Sequence, residues 1–250
     1  MELFWHVKLS LVGFPPQNGW VEVVRVLLKR GFNPHLALDD GSTAIVAASS
    51  GGYQEIVRLI AEHDKTCLEV RFKNSSTPLM TAALNGYLSV VQVLLEQGAE
   101  VDALNSDKWS ALTVAAQKGC FQITKALLAH GAEVDVCSEK GFTPLMYAVK
   151  AGHFNIAEAL IAKGAKVNHF TLTDDGSALD QASIPLMYGY MTPLLLAINL
   201  GELKMVQLLL THGADLYLDL ALVMAHSAQP EDKYSAAALE GIKKQIRLAE

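Results

Sequence analysis

The chain has 250 residues, enough for one or two domains. With 51% apolar and 18% charged residues and a net charge of −6, it is too apolar for a disordered chain and lacks the basic footprint of a nucleic-acid binder. Its three cysteines, Cys67, Cys120 and Cys137, are odd in number and far apart, which excludes a disulfide scaffold and fits a reducing compartment.

In chain order, Met1 to Gly13 is apolar, but Lys8 interrupts it. It has neither a basic start nor a small-residue cleavage site, so it does not read as a signal peptide. Residues 1–19 read as an irregular cap. Ser10 and Gly19 have the spacing of a short helix, but Pro15-Pro16 would break it. Trp20 to Lys29 reads as a helix ending at Gly31, so residues 20–38 form half of a unit that then repeats.

Each repeat opens on Thr or Ser, with Gly nine residues later: Thr43/Gly52, Thr77/Gly86, Ser110/Gly119, Thr143/Gly152 and Thr192/Gly201. Gly98, Gly131, Gly164 and Gly213 follow twelve residues further on, with Asp64 in that place once. Successive openings are 34, 33, 33 and 49 residues apart, the last step carrying a 16-residue insertion at about 171–189. Within a unit, Thr77 is an N-cap and Pro78 occupies the first helical position. Leu79, Ala82 and Ala83 give a short helix one apolar face, and Asn85-Gly86 ends it. A second helix carries Val90, Val91, Leu94 and Leu95 and stops at Gly98. Helices this short cannot stand alone, so stacking must supply the core.

The uncharged stretch Gln181 to Gly201 is long enough to span a bilayer, but it holds Pro185, Gly189, Pro193 and Asn199. It reads as buried against neighbouring elements. Beyond Leu216, residues 218–250 read as degenerate capping helices. Tyr234 to Ala249 is amphipathic, with Leu239, Ile242 and Ile246 on one face; a partner-binding basic helix is the alternative.

The tetrapeptides Thr77-Pro78-Leu79-Met80, Thr143-Pro144-Leu145-Met146 and Thr192-Pro193-Leu194-Leu195 resemble the T-P-L-H opening of the ankyrin-repeat family. The endings Gly98-Ala99-Glu100-Val101-Asp102, Gly131-Ala132-Glu133-Val134-Asp135, Gly164-Ala165-Lys166-Val167-Asn168 and Gly213-Ala214-Asp215-Leu216 resemble its G-A-D-V-N. The resemblance covers roughly residues 20–217. It implies an all-α ankyrin-repeat solenoid of helix–turn–helix units joined by β-hairpin-like loops. In that family the His of T-P-L-H ties adjacent turns. All five copies here lack it (Val46, Met80, Thr113, Met146, Leu195), and methionine packing is expected to substitute. In some members the asparagine at the position of Asn168 is hydroxylated.

Nothing in the sequence reads as catalysis. None of the eight His forms H-x-x-x-H or joins a C-x-x-C pair, so no metal site is expected. His63, His130 and His212 lie at helix ends, where a His favours the negative pole. There is no G-x-S-x-G and no Walker loop. Asp39-Asp40 and Asp174-Asp175 precede glycines in turns.

A binding surface remains. The family resemblance implies that partners meet the groove formed by hairpin tips and first helices. The residue before each opening is Ser42, Ser76, Trp109, Phe142 and Met191, three of them large and apolar in succession. Two readings are open: anchors for a partner, or packing along the hairpins. Asp107, Lys140, Gln117, Lys118 and Lys150 flank the row, with Tyr147 within reach. The pair His169 and Phe170 is a further candidate. The expected function is a non-catalytic protein–protein interaction module for an unidentified protein partner, monomeric, cytoplasmic or nuclear. It has no cofactor and no nucleic-acid or membrane contact. The alternative is a regulatory or inhibitory subunit, or an adaptor, controlling a bound enzyme or transcription factor.

Overall fold

The structure, a computed structural model, describes residues 19–37, 41–172 and 190–215. Residues 1–18 of the expected cap, residues 173–189 of the insertion, and the capping helices over 218–250 lie outside the described residues, while Gly19 falls in the first helix. The described residues divide between two compact units, 1–115 with 122–133 and 116–121 with 134–250. Apart from one pair of two-residue strands and an isolated bridge, the regular elements among them are helical, as the all-α class requires.

The first unit holds α1 (Gly19–Lys29), α2 (Ala44–Gly51), α3 (Gln54–His63), a 3₁₀ turn (Lys65–Glu69), α4 (Pro78–Leu84) and α5 (Leu88–Glu96). First helices pack on first helices and second on second: α2 lies on α4, while α1 lies on α3 and α3 on α5. The helices α6 (Ala111–Lys118) and α7 (Phe121–Ala129) divide their residues between the units. The second unit continues with α8 (Pro144–Lys150) and α9 (Phe154–Ala162), then strands β1 (Thr171–Leu172) and β2 (Tyr190–Met191), then α10 (Pro193–Asn199) and α11 (Leu203–Thr211). There α8 lies on α9 and α10, and α11 packs on α9 and α10.

The local chemistry follows the residues. The Thr77 hydroxyl accepts from Met80 N at 3.3 Å, Thr143 from Met146 N at 3.3 Å and Thr192 from Leu195 N at 3.1 Å. Each caps a helix whose first residue is proline, which has no N–H to leave unpaired. Thr192 therefore caps α10, a seven-residue piece of the apolar stretch Gln181 to Gly201. No helix among the described residues is long and apolar enough to cross a membrane. The insertion leaves at Leu172 and returns at Tyr190, whose strands pair antiparallel as Thr171↔Met191 and Leu172↔Tyr190. Leu79, Ala82, Ala83, Val90, Val91 and Leu94 are all buried. Met80 and Met146 fill the core where the family has His.

Successive turns are tied by a side-chain ladder. Glu69 Oε1 accepts from Glu100 N at 2.8 Å, Asp102 Oδ1 from Glu133 N at 2.8 Å, and Asp135 Oδ1 from Lys166 N at 3.0 Å. Each rung joins residues 31 apart. Asn168 Oδ1 accepts from Asp215 N at 2.8 Å over 47 residues, the same span plus the insertion, and its Nδ2 donates to Gly213 O at 2.9 Å. Burial pushes the Glu69 carboxyl above its ordinary pKa, partly offset by the Glu100 N–H. At helix ends, His130 Nδ1 lies 2.9 Å from Ala126 O and His212 Nδ1 2.8 Å from Leu208 O.

Removing one rung should cost about one net hydrogen bond. Asp102→Ala is expected to lower unfolding free energy by about 0.5–1.5 kcal/mol in urea titration, while Asp102→Asn, which keeps the acceptor, stays close to wild type. Equal losses in both variants would show that the rung does not act through its oxygen.

Candidate protein-binding surface

The expected binding residues fall in both units: Asp107 and Trp109 in the first, the other seven in the second. Each group has its own local frame.

In the first unit, Asn105 closes a tip. Its Oδ1 accepts from Asp107 N at 3.0 Å and Trp109 N at 2.8 Å, and its backbone carbonyl accepts from Lys108 N at 3.0 Å. Lys108 sits in the left-handed region at φ 58, where side chains are uncommon. The neighbouring tip buttresses this one: Asn74 Nδ2 donates to Asp107 Oδ2, Ser106 N to Asn74 O at 3.0 Å, and Arg71 Nη1 to Leu104 O at 2.8 Å. Asp107 and Lys108 are exposed and Trp109 is half-buried.

In the second unit, Ser138 closes the tip. Its N–H donates to Phe142 O at 3.0 Å, and its hydroxyl oxygen accepts from Phe142 N and Tyr147 Oη, each at 3.2 Å. The Phe142 and Tyr147 rings lie 5.4 Å apart. Phe142 is 3% exposed, Tyr147 7% and Met191 2%. These three are therefore core side chains and not surface anchors. The residue before the repeat Thr leads straight into the first helix, and a large side chain there folds against that helix.

The following hairpin seals this tip. Thr171 Oγ1 donates to Lys140 O at 2.9 Å, and His169 Nε2 donates to Gly141 O at 3.0 Å. Gly141 has φ 74, and a Cβ there would collide with Thr171 Oγ1, so only glycine fits. Lys140, Lys118 and Lys150 are exposed and Gln117 is half-buried, its carbonyl accepting from His153 Nε2 at 3.2 Å. Phe170 is 51% exposed, on the hairpin that grips Lys140 and Gly141. Leu84, Tyr87 and Leu104 in the first unit are also exposed, and repeat spacing did not single them out.

One polar cluster joins residues that no local motif connects. His35 Nε2 lies 2.9 Å from Asp64 Oδ2, 3.0 Å from Thr66 Oγ1 and 3.6 Å from Cys67 Sγ. Hydrogen bonds from the Thr66 hydroxyl, from His35 and from Thr66 N hold the Asp64 carboxyl down at about 2. Burial, then the Asp64 charge, pushes the Cys67 thiol up to about 12, and burial also raises Cys120. One imidazole nitrogen serves all three neighbours of His35. It therefore cannot relay a proton from thiol to carboxylate as a nucleophile–base–acid triad does. The contributing residues are 29 to 32 apart, one repeat, so a scan for short motifs misses them; a scan at the repeat period would find them.

The family description "Ankyrin repeats (3 copies)" matches residues 16–105 and 97–171, and "Ankyrin repeat" matches residues 190–219. Among similar curated proteins, the ankyrin repeat and KH domain-containing protein mask of Drosophila melanogaster is 35% identical over 97 residues, 38% of this chain and 2% of that protein. The glycerophosphocholine phosphodiesterase gde1 of Schizosaccharomyces pombe is 32% identical over 90 residues, 36% of this chain and 8% of that protein. The ankyrin repeat and KH domain-containing protein 1 of Homo sapiens is 41% identical over 75 residues, 29% of this chain and 3% of that protein. The chain thus spans only a small part of these relatives.

Burial separates the side chains by what their loss should do. Phe142→Ala is expected to cost about 3–5 kcal/mol of stability, as a truncated buried aromatic does. Lys140→Glu should stay within about 0.5 kcal/mol of wild type. Thermal unfolding followed by circular dichroism checks both, and a wild-type melting curve for Phe142→Ala would overturn the core assignment.

Proposed function

Because the chain belongs to the ankyrin-repeat family, whose repeats generally mediate protein–protein interaction, we propose that it is a non-catalytic interaction module. It takes a protein partner on its exposed hairpin tips. The observation that carries this reading is the tip of the second unit. Lys140 and Phe170 are exposed there on adjoining hairpins whose backbones are locked by the Thr171–Lys140 and His169–Gly141 bonds. A side chain displayed on a fixed backbone loses little further entropy on binding, and an exposed aromatic ring suits a hot spot. In the first unit, Asp107, Lys108 and half-buried Trp109 offer the same combination on a tip braced by Asn105. Lys118, Lys150 and Gln117 flank these surfaces.

The same reading takes the module to be monomeric and to work in the cytoplasm or nucleus, in keeping with three cysteines that form no disulfide. Phe142, Tyr147 and Met191 support the surface from beneath. A regulatory or adaptor role for a bound enzyme uses the same physics. It is favoured by the match to gde1, a protein named as a phosphodiesterase, of which the aligned stretch is 8%.

The test is affinity capture from a cell lysate with wild type and with a Phe170→Ser, Lys140→Glu double variant of unchanged circular dichroism. Capture of a protein by wild type that drops at least tenfold with the variant supports the tip as the binding surface. Retention of the same proteins by the variant overturns that assignment.

A further inference from the structure

We propose that His35, Asp64 and Cys67 form a binding site for a zinc-class divalent cation that staples the N-terminal half repeat to the repeat after it. His35 follows α1; Asp64 caps and Cys67 lies within the 3₁₀ turn after α3. Their ligand atoms all lie within 4.8 Å of one another. Tetrahedral zinc, with bonds of about 2.0 Å to nitrogen or oxygen and about 2.3 Å to sulfur, sets N···S near 3.5 Å and N···O near 3.3 Å. The observed Nε2···Sγ distance of 3.6 Å already fits, and the Nε2···Oδ2 distance of 2.9 Å opens by a few tenths of an ångström to admit the ion.

The surroundings favour metal binding. Thr66 N and Thr66 Oγ1 donate to Asp64 Oδ1 at 2.9 and 2.6 Å, which fixes the carboxylate and leaves Oδ2 turned to the imidazole. Such outer-shell bonds orient metal ligands. Imidazole, thiolate and carboxylate together select zinc over magnesium or calcium. Cys67 is fully buried, while the His35 and Asp64 side chains are 37% and 34% exposed. The ion therefore enters from the surface, rests over the sulfur, and takes water as its fourth ligand. On binding, the Cys67 S–H proton passes to solvent as the sulfur–metal bond forms. The Nε2 proton that faces Asp64 in the metal-free protein exchanges through solvent to Nδ1, which frees the Nε2 lone pair for the ion.

The repeat register supplies an independent reason. His35 occupies the place held by Glu69, Asp102, Asp135 and Asn168 in later repeats, each of which offers a side-chain oxygen to the next turn. A ladder rung alone needs only such an oxygen. At position 35 the rung is inverted, with a ring nitrogen meeting a carboxylate from the following repeat. That following repeat is also the one with a 34-residue step. Asp64 keeps the spacing of Gly98 from the opening Thr, and Glu69 keeps the spacing of Asp102 from the next opening. The extra residue thus falls between Asp64 and Glu69, in the turn that carries Thr66 and Cys67 beneath the imidazole.

The full chain, stripped with a chelator, is titrated with Co(II) and then Zn(II). One equivalent of metal, a sulfur-to-cobalt charge-transfer band and a rise in Tm of about 5 °C at a hundredfold excess over Kd are expected. His35→Asn restores an oxygen at the rung and should stay folded while losing both the band and the rise. Cys67→Ser should lose the band, and Thr66→Val should weaken binding about 10–100-fold. The proposal is overturned if wild type gives no sulfur-to-cobalt band, or if the band survives in folded His35→Asn. Because His35→Asn rebuilds the rung, its result stands even if Cys67→Ser fails to fold.

Discussion

In three successive turns one N–H faces the repeat before it, and a side-chain oxygen 31 residues upstream receives that N–H. This single bond sets the spacing of everything else. Short helices such as Pro78–Leu84 gain little from their own hydrogen bonds and must be held against neighbours. The rung fixes the height at which the neighbour sits, and the apolar faces of the helices then meet in phase. Where the insertion lengthens the chain, Asn168 still finds Asp215 N and adds a second bond to Gly213 O. The constraint therefore acts in space and tolerates extra chain between its ends.

Much of the fold was legible because its determinants are local and repeated. Thr-Pro at a helix start, glycine nine residues later and a second glycine after twelve more are each weak signals, but they recur in one register. The helix start at Thr192 was legible for the same reason, since the nine-residue spacing to Gly201 survives the insertion. Burial at the tips was not legible. Trp109, Phe142 and Met191 hold equivalent places, yet the first is half-buried and the others are core. At the 138–142 hairpin, Thr171 and His169 of the following hairpin bond to Lys140 O and Gly141 O, and no pattern within one repeat records that. The His35 cluster escaped notice because its members are ordinary residues until two repeats bring them together.

The tips also show how one motif divides its duties. Backbone groups and small polar side chains such as Ser138 and Asn105 are consumed internally, which leaves long side chains such as Lys108 and Lys140 to face outward. Substitution at the outward positions changes charge without touching the bonds that hold the turn. Variation in partner preference and constancy of fold can therefore coexist within five residues of chain.

The antiparallel pairing of Thr171 with Met191 and Leu172 with Tyr190 has an engineering consequence. It brings both ends of the intervening segment side by side, so the chain leaves and re-enters the repeat at one place. Closing a loop twice as long costs only about 0.6 kcal/mol more. The position between Leu172 and Tyr190 is thus a natural port, where the ends of a reporter domain with neighbouring termini would meet paired strands.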